Sequence, residues 1–303
     1  MLIKATVTSI PEYIMQCHKL PVKVCEEVNK LVRNFLWGSI VDKKKMHLVG
    51  WQKVTNPTKM GGLGIFDMQA RNAALLAKLC WQIASSPDMP WAQMLTCKYL
   101  TPLRLRGHSR NQTASWIWKA CKEGGVIFNK GLRWSIANGE SVSAWADFWL
   151  PSGPLRQQIE SPLNVGEDKI SAKSLMNSAE CISFALPDRI IQEIRGIPIA
   201  ANPSHEDLLI WAFSHDGSVS LKSAYLIAKG FNFWNLDTST HQWVWKAHTS
   251  PRIKFFIWLC THNSVPMKEV LGSRGLNLDP MCELWGEGEI GRASCRERVS
   301  PYV

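Results

Sequence analysis

The sequence predicts an α+β protein: a helix-rich basic N-terminal region, a β-hairpin region, and a small C-terminal domain built from a hairpin plus helices. Three observations carry this prediction. Apolar residues recur at helical spacing through the first part of the chain. Two turn pairs, Asn138-Gly139 and Asp216-Gly217, each lie between short runs that alternate apolar and polar residues. The 303 residues are 46% apolar and 20% charged, which suits packed cores and argues against general disorder.

Taken in order, Val24, Val28, Leu31 and Phe35 mark the apolar stripe of an amphipathic helix, with Gly38 as its stop. Lys43, Lys44 and Lys45 follow in a loop. Gly61-Gly62-Leu63-Gly64 reads as a turn, and Asp67 is placed to cap the next helix. That helix carries Leu75, Leu76, Leu79, Cys80 and Ile83 on one broad face. Another helix is expected from Pro90 to about residue 100, with proline tolerated in its first turn. Arg104, Arg106 and Arg110 lie in a polar stretch, before a short helix over 115–123.

The pattern changes near Gly131. Leu132, Trp134 and Ile136 alternate before Asn138-Gly139, and Val142 and Ala144 alternate after it, which predicts a hairpin over 132–145. Residues 151–205 read as an irregular acidic connector with short helices around 170–176 and 189–194. A second hairpin is expected around Asp216-Gly217, followed by a helical run through Ala224–Ala228. After Pro251 a helix should turn Ile253, Phe256, Ile257 and Cys260 inward.

Net charge is +10, distributed unevenly. Residues 1–134 hold 20 Lys/Arg against 7 Asp/Glu, a net of +13. Residues 135–210 are net −5, residues 211–289 are neutral, and residues 290–303 are net +2. A basic half of this kind suits a polyanion or a plain solvated surface. The nine cysteines have no CxxC pair, and the start lacks secretory features. Reduced thiols in a nuclear or cytoplasmic compartment fit best. No apolar run is long enough to span a membrane.

Catalytic motifs are missing. There is no adjacent aspartate pair, phosphate-binding loop, HExxH or GxSxG. Cys17-His18 and Cys260/His262 lack the further groups a nucleophile or metal cage needs. No small-molecule site is indicated.

Four segments carry a resemblance: residues 9–39 (SIPEYIMQCHKLPVKVCEEVNKLVRNFLWGS), 47–83 (from HLVGWQKV to LAKLCWQI), 131–151 (GLRWSIANGESVSAWADFWLP) and 243–266 (WVWKAHTSPRIKFFIWLCTHNSVP). In this order they resemble the region downstream of the polymerase palm in plant LINE-type (non-LTR) retrotransposon reverse transcriptases, up to about Glu289. The polymerase of that family uses an adjacent Asp-Asp pair to hold catalytic metal ions. The resemblance therefore implies a noncatalytic fragment. It implies that residues 1–125 correspond to a helical thumb/connection-like basic region that grips an RNA or RNA/DNA backbone. Lys43, Lys44, Lys45, Arg104, Arg106 and Arg110 are the expected phosphate contacts.

The same resemblance divides the rest of the chain into a hairpin region at 126–150, the connector at 151–205, and a truncated reverse-transcriptase zinc-binding-like domain at 206–289. Trp211, Gly217, Lys222, Ser223, Ala224 and Tyr225 match the start of that domain. Cys282 matches the first zinc ligand, but the second position holds Trp285 and the later His and Cys have no counterpart. A structural zinc needs four such ligands, so no bound cofactor is expected here. The final segment, 290–303, is similar to the translation of a sequencing-library adapter and is expected to be adapter-derived or a disordered tail. The tryptophans of the family-like segments should pack in cores, with base stacking as the alternative for exposed ones. The other reading of the whole chain is a structural or interaction remnant, or a pseudogene product, without a nucleic-acid role.

Overall fold

A computed structural model describes residues 9–40, 42–99, 115–177, 182–197, 206–231, 242–275 and 277. These residues form an α+β fold whose one sheet has two antiparallel strands. The chain divides into two units, one of residues 1–15, 20–72 and 232–303, the other of residues 16–19 and 73–231. The division falls within the helix Met68–Ser85.

In the first unit the helix Val22–Trp37 ends where Gly38 takes φ 68°, the left-handed cap the sequence indicates. Its inward face is the expected one only at Val28, which packs half-buried against the core. Cys25, Asn29, Val32 and Trp37 are buried, whereas Val24, Leu31 and Phe35 are exposed, Leu31 at 62%. The reason is a polar anchor. Asn29 donates to Asp67 Oδ2 at 3.0 Å and accepts the Met68 N–H at 3.1 Å, which turns that edge of the helix inward. Asp67 in turn accepts the Ala70 N–H at 3.0 Å, capping the helix Met68–Ser85 as expected.

The core of this unit joins distant parts of the chain. Val32, Trp37, Leu48, Val49, Val54 and Ile65 pack with Val244, Trp258, Leu259 and Val265. The helix Pro251–Thr261 starts from the Ser250 cap with Pro251 in its first turn. Its inward face matches expectation in part. Phe256 and Ile257 pack half-buried against the core, but Trp258 and Leu259 are the buried residues, while Ile253 and Cys260 are exposed. Trp258 is fully buried and its indole N–H donates to the Gly61 carbonyl at 2.6 Å, so that bond fixes which face points in.

The second unit begins with the rest of the helix Met68–Ser85 and the helix Pro90–Tyr99. The helix Trp116–Gly131 runs about two turns past its expected end, straight through Gly124-Gly125. Gly124 lies against the other helix so closely that an added Cβ would meet the Leu76 carbonyl at 2.4 Å. The glycine is thus kept for close helix contact rather than for a break.

The two strands, β1 Leu132–Ser135 and β2 Leu208–Trp211, pair with each other, Leu132 opposite Trp211 and Ser135 opposite Leu208. This replaces both expected hairpins. A type I′ turn needs positive φ at both central residues. Gly139 and Gly217 have φ 69°, but neither Asn138 nor Asp216 is in that region. Past Gly139 the chain bridges Ser143 to Ser171, and it comes back beside β1 through the Trp134 N–H, which donates to the Phe148 carbonyl at 2.8 Å, rather than as a paired strand. Past Gly217 a compact loop closes, with the Trp211 N–H donating to the Gly217 carbonyl at 2.7 Å.

Two tryptophan-centred clusters complete this unit. Trp211 is fully buried, presses on Gly131, and donates its indole N–H to Ser223 Oγ at 2.8 Å on the helix Leu221–Ala228. Trp145, Trp149, Leu150 and Leu155 lie in a core with Leu175, Ile190 and Ile194. The acidic stretch after residue 150 therefore supplies buried residues, through the short helices Leu155–Gln158, Ala172–Asn177 and Asp188–Arg195.

Candidate nucleic-acid interface

The lysine triplet follows directly from the end of the helix Val22–Trp37. The Ser39 N–H donates to the Asn34 carbonyl at 2.8 Å as the helix closes. Ile40 and Lys43 then exchange backbone hydrogen bonds at 3.0 and 3.1 Å. Ser39 Oγ accepts the Lys45 N–H at 3.0 Å. The backbone under the triplet is therefore fixed, while Lys43 and Lys44 reach solvent. Lys45 is half-buried. Its chain passes Gly38, with Nζ 4.0 Å from where a Cβ would stand. That puts an ammonium at a helix C-terminus, where the helix dipole favours positive charge.

Not every basic side chain of the basic half is free for a partner. Lys19 pairs with Glu123, Lys30 with Glu27 at 3.4 Å, and Arg71 with Glu12. Of the residues marked on sequence, the structure places Lys43, Lys44 and Lys45 on one turn. Arg104, Arg106, Arg110 and Cys282 lie outside the described residues, as does the segment 290–303.

Two basic side chains that the sequence pattern did not mark lie in the same unit. Arg33 sits with its guanidinium carbon 5.6 Å from the Trp51 ring centroid. His47 stacks near Trp37 at 6.4 Å between ring centroids. Nothing in local spacing distinguishes them, because Arg33 reads as the polar face of a helix. The segments 33–37 and 47–51 come together only in the fold.

Among the described residues the exposed tryptophans are Trp91, Trp116 and Trp243. Trp116 is 48% exposed and one face is taken by His18, stacked at 3.7 Å and 6°. Trp37, Trp118, Trp145, Trp149, Trp211 and Trp258 are buried, as core packing requires.

No group of three or more His, Cys, Asp or Glu side chains suited to a metal occurs among the described residues. Cys260 is exposed, and His262 Nδ1 lies 3.0 Å from the Trp258 carbonyl, within its own helix turn. These two side chains do not form a metal cage. No helix among the described residues is long and apolar enough to cross a membrane.

Residues 220–290 match the family described as zinc-binding in reverse transcriptase. The chain is related to plant reverse transcriptases. It is 29% identical over 293 residues to "Putative ribonuclease H protein At1g65750" of Arabidopsis thaliana, covering 93% of this chain and 47% of that protein. It is also 29% identical over 143 residues to "Uncharacterized mitochondrial protein AtMg00310" of the same plant, covering 47% of this chain and 93% of that one. The chain thus spans about half the length of the first of these relatives. No solved structure matches. Within the reverse-transcriptase-related segment, residues 221–228 form the helix that receives Trp211, and residues 251–261 form the helix that carries Trp258.

Proposed function

We propose that this reverse-transcriptase-related chain is a noncatalytic portion of a plant LINE-type (non-LTR) element protein that holds an RNA or RNA/DNA backbone. The observation that carries the reading is the net +13 of residues 1–134, with Lys43 and Lys44 presented on a turn whose backbone is pinned at both ends. Phosphate contact needs only cations in reach, and it releases counterions, so it weakens steeply with salt. The noncatalytic part of the reading rests on the lack of an adjacent aspartate pair in the sequence. The expected compartment is nuclear or cytoplasmic.

Binding of a labelled RNA and of a primer–template, measured against salt, tests the reading. Affinity should fall linearly on logarithmic axes as salt rises, and Lys43→Gln with Lys44→Gln should flatten the slope. Absence of binding at low salt overturns it. A primer-extension assay with the chain alone should give no product, and polymerisation would refute the noncatalytic assignment.

One observation favours the other reading, a structural or interaction remnant. Val24, Leu31 and Phe35 expose an apolar stripe on the helix Val22–Trp37. RNA binding that is salt-independent or missing, together with loss of self-association in Leu31→Ser, would support that reading instead.

A further inference from the structure

We propose that Arg33, Trp37, His47 and Trp51 form a cradle for a single phosphate of a polynucleotide backbone, with Lys45 and Arg274 adding positive charge around it. The inference rests on the nucleic-acid reading above and assigns it a site.

The cradle is built from donors. Arg33 and Trp37 are one helical turn apart and lie on neighbouring positions of one face. Arg33 reaches over the Trp51 ring at 5.6 Å, and Trp37 lies 6.4 Å from His47 with the rings 26° apart. Arg33 Nε, Trp37 Nε1 and Trp51 Nε1 are each buried with no hydrogen-bond partner. Trp37 is only 9% exposed, so its indole N–H has little access to bulk water. Buried donors in folded proteins almost always find an acceptor. Three unpartnered donors on the two segments that meet here, 33–37 and 47–51, point to an acceptor that comes from outside and offers several oxygens.

Charge selects the kind of acceptor. The carboxylates Glu12, Glu27 and Asp67 of the same unit are engaged with Arg71, Lys30 and Asn29, and Glu26 and Asp42 are exposed. Partial burial and then the positive charge of Arg33 hold the His47 imidazole below its usual pKa. The Arg33 charge is therefore felt across the site. A second guanidinium, that of Arg274, donates to the His47 carbonyl at 3.0 Å and to the Leu48 carbonyl at 2.5 Å. Those bonds fix the His47 backbone and bring another cation beside it. The lysine turn leads directly into this segment, so a backbone that touches Lys43 and Lys44 passes the cradle next. A phosphate matches the donor set because it is anionic and presents several acceptor oxygens.

The test uses the full chain and a fluorescein-labelled RNA of about 20 nucleotides, read by anisotropy across salt. Arg33→Gln should weaken binding about tenfold and lower the salt slope by about one. Trp51→Phe, which keeps an aromatic ring and removes the N–H, should weaken it about threefold. Arg195→Gln, an exposed arginine of the other unit, serves as the control and should change nothing. Pyrophosphate should compete far more weakly than unlabelled RNA, and equal competition per phosphate would assign the site to a free anion and overturn the polynucleotide claim. Wild-type binding with Arg33→Gln unaltered overturns the cradle and leaves the nucleic-acid reading standing. No wild-type binding at about 50 mM salt overturns both. Should Arg33→Gln fail to fold, the indole N–H resonances of Trp37 and Trp51, assigned from phenylalanine variants, decide the matter. They should shift on adding RNA while that of Trp211, already bonded to Ser223, stays in place. Unmoved Trp37 and Trp51 signals refute the cradle.

Discussion

The Asp207 carboxylate accepts the Gly139 backbone N–H at 2.9 Å, across 68 positions of sequence. It also takes the N–H groups of Ala137, Asn138 and Ser141 and the hydroxyl of Ser141. One side chain thereby fills the donor-rich turn that would otherwise close a local hairpin. It delivers β2, which starts at the next residue, to β1.

Asp207→Asn should destabilise the fold by about 1–2 kcal/mol, discounted for the partial exposure of the site. An amide has one acceptor oxygen and no charge, so it cannot serve all five donors. Chemical denaturation measures the difference. Partial burial pulls the Asp207 pKa up, but the bonds from Gly139, Ala137 and Ser141 outweigh it and leave the pKa lowered. A lowered folded-state pKa gives stability that is present above the ordinary carboxylate range and is lost as pH falls through the folded value. The gap between wild type and Asp207→Asn should therefore be widest near neutrality and shrink in acid. A gap that widened in acid would exclude the clasp.

Gly124 and Gly125 are neighbours with opposite expectations. A Cβ on Gly124 meets Leu76 backbone, whereas a Cβ on Gly125 meets nothing within 4 Å. Gly124→Ala should cost about 1–3 kcal/mol by overpacking. Gly125→Ala should raise stability by up to about 1 kcal/mol through helix propensity. Thermal unfolding of both variants would contradict the helix contact if they shifted the same way.

Thiol reactivity should sort by burial. Cys97 and Cys260 are exposed, and Cys25, Cys80 and Cys121 are buried. The hydrogen bond with Cys121 and then burial push the Cys80 thiol well up, so it stays protonated and unreactive. Alkylation of the native chain, read by peptide mass, should mark Cys97 and Cys260 first and the buried three only after denaturant. Fast labelling of Cys25 with slow labelling of Cys260 would show the helices facing the other way.

Zinc titration should show no tight one-to-one binding, and Cys282→Ala should leave the isotherm unchanged, if, as the resemblance implies, Cys282 alone matches one of the four ligands a structural zinc needs. Stoichiometric binding lost in Cys282→Ala would refute this.

The helix positions show what was legible. The caps at Gly38 and Asp67 and the helix start at Pro251 are local chemistry, and each stands where the residues indicate. The inward faces of two helices were legible only in part. Hydrophobic spacing favours Val24, Val28, Leu31 and Phe35, and of these Val28 packs on the core, yet the fold buries Cys25, Asn29 and Val32. A buried amide bridging to Asp67 and Met68 outweighs a richer apolar stripe, and no local pattern announces that bridge. The lysine turn could be read directly from three consecutive residues. The Arg33 cluster could not, since its four members are drawn from two segments.

By itself, the sequence determined the fold class, several helix caps, the basic half and the reverse-transcriptase relationship. These follow from turn chemistry, periodicity and residue type, which act over a few positions. Only the tertiary structure decided that β1 pairs with β2, that residues 32–65 share a core with residues 244–265, and which helix faces turn inward. Those outcomes depend on long-range partners, Asp207 for Gly139, Asn29 for Asp67 and Trp258 for Gly61. A buried polar group must be satisfied wherever the chain can supply the partner.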